Sequence, residues 1–192
     1  MHTTLKRDRL IEAAKIMFYQ HGVTGTTLAD IAQQAQVPLG NIYYHFHTKE
    51  ALVEAVIQAH LQELRSLFAQ LDRQPDPRQR LLGLLGLLGL LAAERKGEQG
   101  LARYGCPHGS LSQELNKEDG QPASTAALLL QAYLDWVATQ FRLLGKNEEE
   151  AKDLAIDLIS SLQGTFLLAN SFRSPELLEH KLQRLETWLR TL

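Results

Sequence analysis

The sequence predicts an all-α protein. Leu, Ala, Glu and Gln dominate its 192 residues, apolar residues recur at helical spacing, and no run alternates in the manner of a strand. With 44% hydrophobic residues the chain can bury a sizeable core in one or two domains.

Each helix can be justified in turn. Leu10, Ala14, Met17 and Phe18 form the apolar face of a first helix that follows a Thr3/Thr4 cap region and stops at His21-Gly22. Thr26 or Thr27 caps a short second helix whose Leu28, Ile31, Ala32 and Ala35 face inward. After Gln36-Val37-Pro38 comes a third, running to about Tyr44 or His45. A proline at its start costs nothing, because the missing N–H has no helical partner there. Thr48 caps a long fourth helix carrying Glu50 in its first turn, with Leu52, Val56, Leu64, Leu67 and Leu71 as apolar positions.

Asp72 to Asp76, with Pro75 and Pro77, reads as a hinge-like linker. The next segment, LLGLLGLLGLLA, places glycines at 83, 86 and 89. A three-residue step slips by about 60° per repeat on a 3.6-residue helix, so its leucines leave no single face. Such a helix is expected inside a bundle, weakened by roughly 1 kcal/mol at each glycine. A helix over about 124–144 follows an Asp119-Gly120 turn, and Asn147 with three glutamates starts another that reaches about Asn170. Ser174-Pro175-Glu176 opens the last, with Leu178, Leu182, Leu185, Leu189 and Leu192 in one stripe beside Trp188.

Composition narrows the function. A single cysteine excludes an internal disulfide framework and fits a reducing compartment. Charges in MHTTLKRDRL interrupt the apolar core that a signal peptide needs, so a cytoplasmic location is expected. The longest uncharged apolar run, Leu81 to Ala93, is short of the ~20 residues that cross a bilayer, and no membrane partner is expected. Net charge is −2, made of +1 in residues 1–50 and −3 in the remainder, which lends DNA binding little support.

Geometry lends it more. Two short helices joined by a tight turn match a helix-turn-helix. In the second, Ile42 and Phe46 can anchor to a core while Asn41, Tyr43, Tyr44 and His45 reach outward and Gly40 admits a close neighbour. The tyrosines and Thr26 or Thr27 are candidate phosphate donors, and Asn41 can address a base edge. Lys49 opposes the dipole of the fourth helix, a placement that makes sense beside a phosphate. On spacing alone, a helical core decorated with tyrosines explains the pattern equally well.

The residue series V-P-L-G-N-I-Y-Y-H-F-H-T-K-E-A-L, preceded by H-G-V-T-G-T-T-L-A-D-I-A-Q-Q-A, resembles the DNA-binding domain of the TetR/AcrR family of bacterial transcriptional regulators, over residues 6 to about 53. That resemblance implies an N-terminal three-helix DNA-binding domain, residues 1–48, and a C-terminal helical bundle for ligand binding and dimerisation, residues 49–192. It implies a homodimer on a palindromic operator. Thr26 and Thr27 then match phosphate-holding positions, Pro38, Leu39 and Asn41 face bases, and Tyr43, Tyr44 and Lys49 contact phosphates. Gln36 stands where the family often has glycine, which it can replace if the backbone there is not left-handed. Leu39 stands where lysine is frequent and can meet a thymine methyl instead.

Residues 103–115, R-Y-G-C-P-H-G-S-L-S-Q-E-L, are similar to a Gly-Cys-x-x-Gly segment of one subgroup within that family, whose members are repressors often released by small organic compounds. The expected pocket lining is Tyr104, Cys106, His108, Gln113, Tyr133, Trp136, Gln140 and Phe166. Few acids accompany them, which favours a neutral, moderately apolar effector over a cationic one. Cys106 is read as packing or pocket lining, with redox or electrophile sensing as the alternative. Cys106 with His108 lacks the orienting group and oxyanion site of an enzyme and the ligand number of a zinc site, so no enzyme, cofactor or metal is expected. The dimer is expected to form through Leu154, Leu158, Leu162, Phe166 and Ala169 of the penultimate helix and Leu178, Leu182, Leu185 and Leu189 of the last.

Overall fold

The computed structural model describes residues 2–94, 100–117 and 121–192. Among them every regular element is helical: α1 (His2–His21), α2 (Leu28–Gln34), α3 (Leu39–His45), α4 (Lys49–Leu71), α5 (Pro77–Glu94), α6 (Leu101–Tyr104), α7 (Pro107–Leu115), α8 (Gln121–Leu143), α9 (Glu148–Phe172) and α10 (Pro175–Thr191). None is long and apolar enough to cross a membrane. The expected Asp119-Gly120 turn lies outside the described residues, as do the Thr3 and Thr4 side chains; α1 already begins at His2.

Two compact units emerge. The first joins the chain up to Glu63 with Ser110–Leu129, and the second joins Leu64–Gly109 with Leu130–Leu192. Helices α4, α7 and α8 each contribute residues to both.

In the first unit α1, α2 and α3 pack on one another around Leu10, Ala14, Ile31, Ile42 and Phe46, all buried, and α4 adds Leu52, Val53, Val56 and Ile57. Local signals set the boundaries. Thr27 caps α2 in a reciprocal box with Asp30, the Thr27 hydroxyl accepting the Asp30 N–H at 3.1 Å while Asp30 accepts the Thr27 N–H at 3.0 Å. Thr48 caps α4 by accepting the Ala51 N–H at 3.2 Å.

Gln36 is left-handed, with φ +53°, so the condition under which glutamine could replace glycine is not met. A residue with a Cβ is strained there by roughly 1–2 kcal/mol. The Arg9 guanidinium offsets part of this by donating to the Ala35 and Gln36 carbonyls. Gln36→Gly is therefore expected to raise stability by up to about 1 kcal/mol, glycine's own unfolded-state entropy limiting the gain. An unchanged or lower thermal midpoint would sink this expectation.

In the second unit α10 packs on α5 and α9, and α6 lies against α9. The glycine-spaced helix is only half interior. Leu81, Leu82, Leu84 and Leu85 are buried, whereas Leu87, Leu90 and Leu91 are exposed. The slip of the three-residue repeat explains this, since each step carries the leucine row further around the axis until it faces outward. Gly83 permits a close approach, its missing Cβ falling 3.0 Å from the Leu71 side chain.

The expected interface stripes are interior as well. Leu158, Leu162, Phe166, Ala169, Leu178, Leu182, Leu185 and Leu189 are each less than 8% exposed in the single chain, and Leu154 is half-buried. All of them except Leu154 are already covered within the single chain. Outward-facing apolar residues of the same helices are Ile156, Leu167, Leu168, Phe172 and Leu177.

Candidate nucleic-acid interface and sensing site

The recognition-helix geometry is built around α3. Ile42 and Phe46 are fully or nearly fully buried, fixing one face, and Arg7 lies 5.3 Å over the Phe46 ring. Pro38 precedes the first residue of α3 with extended backbone, φ −55° and ψ 140°. The opposite face presents Leu39, Tyr43 and Tyr44, which are 46%, 51% and 70% exposed, so about half or more of each lies outside the fold. A side chain at Gly40 would meet no heavy atom within 4 Å, which leaves that face open to an approaching surface. Asn41 and His45 are half-buried, and His45 meets Tyr44 edge to face at 5.0 Å.

Thr27 and Thr26 part company. Thr27 is exposed, although its hydroxyl already donates to Asp30 at 2.6 Å. Thr26 is fully buried and donates to the Gly22 carbonyl at 2.7 Å, so its hydroxyl closes the α1–α2 turn and has no access to a phosphate. Lys49 opens α4 and is half-buried. Its charge helps to hold the Glu114 carboxyl below its ordinary range.

Three carboxylates of this unit titrate low. The Thr27 hydroxyl and N–H hold Asp30 down, and the Glu50 N–H with the Thr48 side chain holds Glu50 down. Burial pushes Glu114 up, but N–H groups of Thr24 and Val23 more than reverse this. A folded pKa below the unfolded one gives stability that is full above the unfolded value and lost as pH falls through the folded value. This unit should therefore loosen as acid takes pH below about 4. Amide protection at the α2 and α4 caps, corrected for the intrinsic exchange rate, should fall there in wild type, and at the α2 cap less so in Asp30→Asn, whose cap is already weakened. An equal loss of protection at the α2 cap in both proteins would remove Asp30 from the account.

Within the second unit the expected pocket residues form one aromatic and polar group. His108 Nδ1 lies 3.2 Å from the Tyr133 hydroxyl, and Phe68 meets Tyr133 edge-on at 5.6 Å. Trp136 stacks on Phe68 at 4.8 Å and donates its indole N–H to Asp72 at 3.1 Å. Burial, aided by Cys106, drives the Tyr133 hydroxyl well above its ordinary pKa, so it stays protonated and able to donate. Cys106 is buried just before α7, and its Sγ receives the Gly109 N–H and the Gln163 amide, each at 3.4 Å.

The remaining candidates make other contacts, although Gln140 also donates to the Trp136 carbonyl at 3.2 Å. Gln140 is 1% exposed and accepts from Arg80 at 3.1 Å, stabilising the start of α5. Phe166 is core, and Tyr104 is half-buried with the Arg103 guanidinium 5.4 Å over its ring. Gln113 is exposed and belongs to the first unit, where it lines a surface groove of about 420 Å³ with Gly22, Thr24, Ser110, Glu114 and Lys117. Sequence reasoning missed Arg9, Phe68, Asp72 and Glu114. No local spacing marks them, because each acts on residues more than 20 positions away. Among the described residues no group of three His, Cys, Asp or Glu is placed to hold a metal ion.

Comparisons with known proteins agree on the kind of molecule. The profile of bacterial regulatory proteins of the tetR family matches residues 10–56. The transcriptional repressor KstR2 of Mycolicibacterium smegmatis is 39% identical over 80 residues, covering 41% of this chain and only 39% of that protein. The transcriptional repressor DhaR of a Mycobacterium species is 30% identical over 190 residues, covering 93% of this chain and 89% of that one. The reduced form of Escherichia coli NemR superposes with a TM-score of 0.81 at 21% identity, over 95% of each chain, a likeness of fold.

Proposed function

Since this chain belongs to the TetR family of DNA-binding transcriptional regulators and not among enzymes, we propose that it is a repressor that binds a palindromic operator as a dimer and leaves it when a small organic effector binds. The observation that carries the reading is the division of labour on α3: Ile42 and Phe46 buried, Leu39, Tyr43 and Tyr44 exposed. In this reading Pro38, Leu39 and Asn41 address bases, and Thr27, Tyr43, Tyr44, His45 and Lys49 hold the backbone. Thr26 has only a structural part. The repressor sense is supported by the names of KstR2 and DhaR.

The test is a titration of DNA from upstream of the protein's own gene across a salt series. Tyr43→Phe and Lys49→Ala should each weaken binding without unfolding the protein. Lys49→Ala should also lower the slope of log affinity against log salt by about one unit. Wild-type affinity in both variants would overturn the assignment.

The effector is read as neutral and moderately apolar. It would meet His108, Tyr133 and Trp136, whose rings offer apolar faces and whose hydroxyl and imidazole offer a few oriented polar contacts. Sensing of electrophiles or oxidants through Cys106, in a Gly-Cys-x-x-Gly segment, is the second reading. Its specific support is the placement of the thiol directly before α7, and its 9% exposure weighs against it.

For the dimer, α9 offers the surface. Ile156, Ser160, Gly164, Leu167, Leu168, Ser171 and Phe172 are all exposed on it. An eleven-residue step, as from Ile156 to Leu167, returns to nearly the same face of a helix. Large apolar side chains with small residues between them suit close packing against the same helix of a second copy.

A further inference from the structure

Helix α3 has only seven residues, Leu39–His45, too few to hold a fixed direction alone, so its pose must come from its surroundings. At the trailing end Ile42 and Phe46 are buried, and the Phe46 N–H donates to the Ile42 carbonyl at 2.7 Å. The leading end depends on the turn from α2. There Gln36 takes the left-handed position after the C-cap of α2, and the Val37 N–H closes the turn on the Ala32 carbonyl at 2.9 Å. Glycine is the usual residue in such a cap, because a Cβ crowds the left-handed backbone.

What stands in for glycine comes from another helix. Arg9 of α1 donates from Nη2 to the Ala35 carbonyl and, at 3.3 Å, to the Gln36 carbonyl, 26 and 27 positions along the chain. That nitrogen carries two hydrogens, so each carbonyl can take one. Both carbonyls lie at the negative end of α2, whose own last turn has no basic residue. Beyond them there is little slack before α3. Val37 is buried, and the Pro38 ring fixes its φ at −55°. The direction set at Gln36 therefore passes straight to Leu39.

We propose that Arg9 is a positioning residue for DNA reading, whose grip on the Ala35 and Gln36 carbonyls holds a strained, non-glycine turn in the one conformation that aims the leading end of α3. It acts through the turn and not by touching DNA. This rests on the reading of α3 as the helix that addresses bases, with Pro38, Leu39 and Asn41 at that leading end. Without Arg9 the left-handed state of Gln36 competes with others and the leading end wanders. Ile42 and Phe46 keep the trailing end, with its tyrosines, in place. Base discrimination then suffers more than backbone affinity. The need for Arg9 disappears once the strain does, since glycine keeps a left-handed backbone unaided.

Arg9 is exposed, so Arg9→Met removes the donors and leaves the core intact. A duplex from upstream of the protein's own gene, and the same bases in scrambled order, are titrated across a salt series. Arg9→Met should lower the ratio of the two affinities about tenfold, with a salt slope within about half a unit of wild type. Adding Gln36→Gly should restore the ratio to within about threefold of wild type, and Gln36→Gly alone should leave it there. Amide protection at Val37, corrected for the intrinsic exchange rate and read without DNA, should fall in Arg9→Met and recover with Gln36→Gly, while that of Phe46 holds. Given a wild type that prefers the upstream duplex, an unchanged ratio in Arg9→Met would overturn the proposal. So would equal losses on both duplexes with a slope lower by about one, the mark of a phosphate contact, or a ratio that Gln36→Gly fails to restore. A wild type without preference for the upstream duplex would overturn the parent reading, whereas unchanged Val37 protection would overturn the grip itself.

Discussion

Glutamate at both Leu167 and Phe172 is expected to convert the protein into a folded, helical monomer that has lost most of its operator affinity. These side chains are 58% and 69% exposed in the single chain, so charging them removes little from the core. In a dimer packed through α9 they would be desolvated, and a carboxylate there without a partner costs several kcal/mol. Two half-sites bound together gain about 10²–10⁴ in affinity over one, and a monomer forfeits that gain. Sedimentation equilibrium with circular dichroism checks the first part and duplex titration the second. A folded double variant that stays dimeric at micromolar concentration would place the interface elsewhere.

The same substitutions one helix away should have the opposite outcome. Leu185 and Leu189 are 7% and 0% exposed, so Leu185→Glu with Leu189→Glu puts two charges into the packing of α10 on α5 and α9. Removing a buried leucine side chain costs about 2–5 kcal/mol, and burial of a charge adds to it. A domain holds only about 5–15 kcal/mol, so the double variant should lose its cooperative thermal transition. A helical, cooperatively melting monomer would show instead that α10 is peripheral to the core. The pair of experiments separates a face that waits for a partner from one already in use.

That contrast also shows where the sequence was readable. Caps, turn residues and apolar spacing act within four positions, and Thr27, Thr48, Asn147 and Pro175 all stand at the helix starts they announce. The family signature lies in the same short-range region. Long-range consequences were hidden. Helix α9 is apolar on two faces, and periodicity finds the Leu158–Leu162–Phe166 stripe without saying whether its cover comes from the same chain. Thr26 and Thr27 have the same side chain and adjacent places, yet only burial shows that the first closes a turn and the second caps a helix. Gln36 does not itself announce a left-handed backbone; the glycine frequent at that place in the family hints at it, and a neighbour 27 residues back helps to hold it. Gln113 shares α7 with His108 but folds with the other unit, a separation that distance along the chain does not reveal.

The stacking of Trp136 on Phe68 makes the protein its own optical instrument. The chain has two tryptophans, and Trp188 stands apart beside Phe141, 6.1 Å between ring centres. Replacing Trp188 with phenylalanine would leave a single indole as emitter, clamped between an aromatic face and the Asp72 carboxylate and sharing Phe68 with Tyr133. Indole emission shifts in colour and yield with the charge and water around it. A library of unlabelled compounds can thus be screened by light alone, each hit announced by the residue it disturbs.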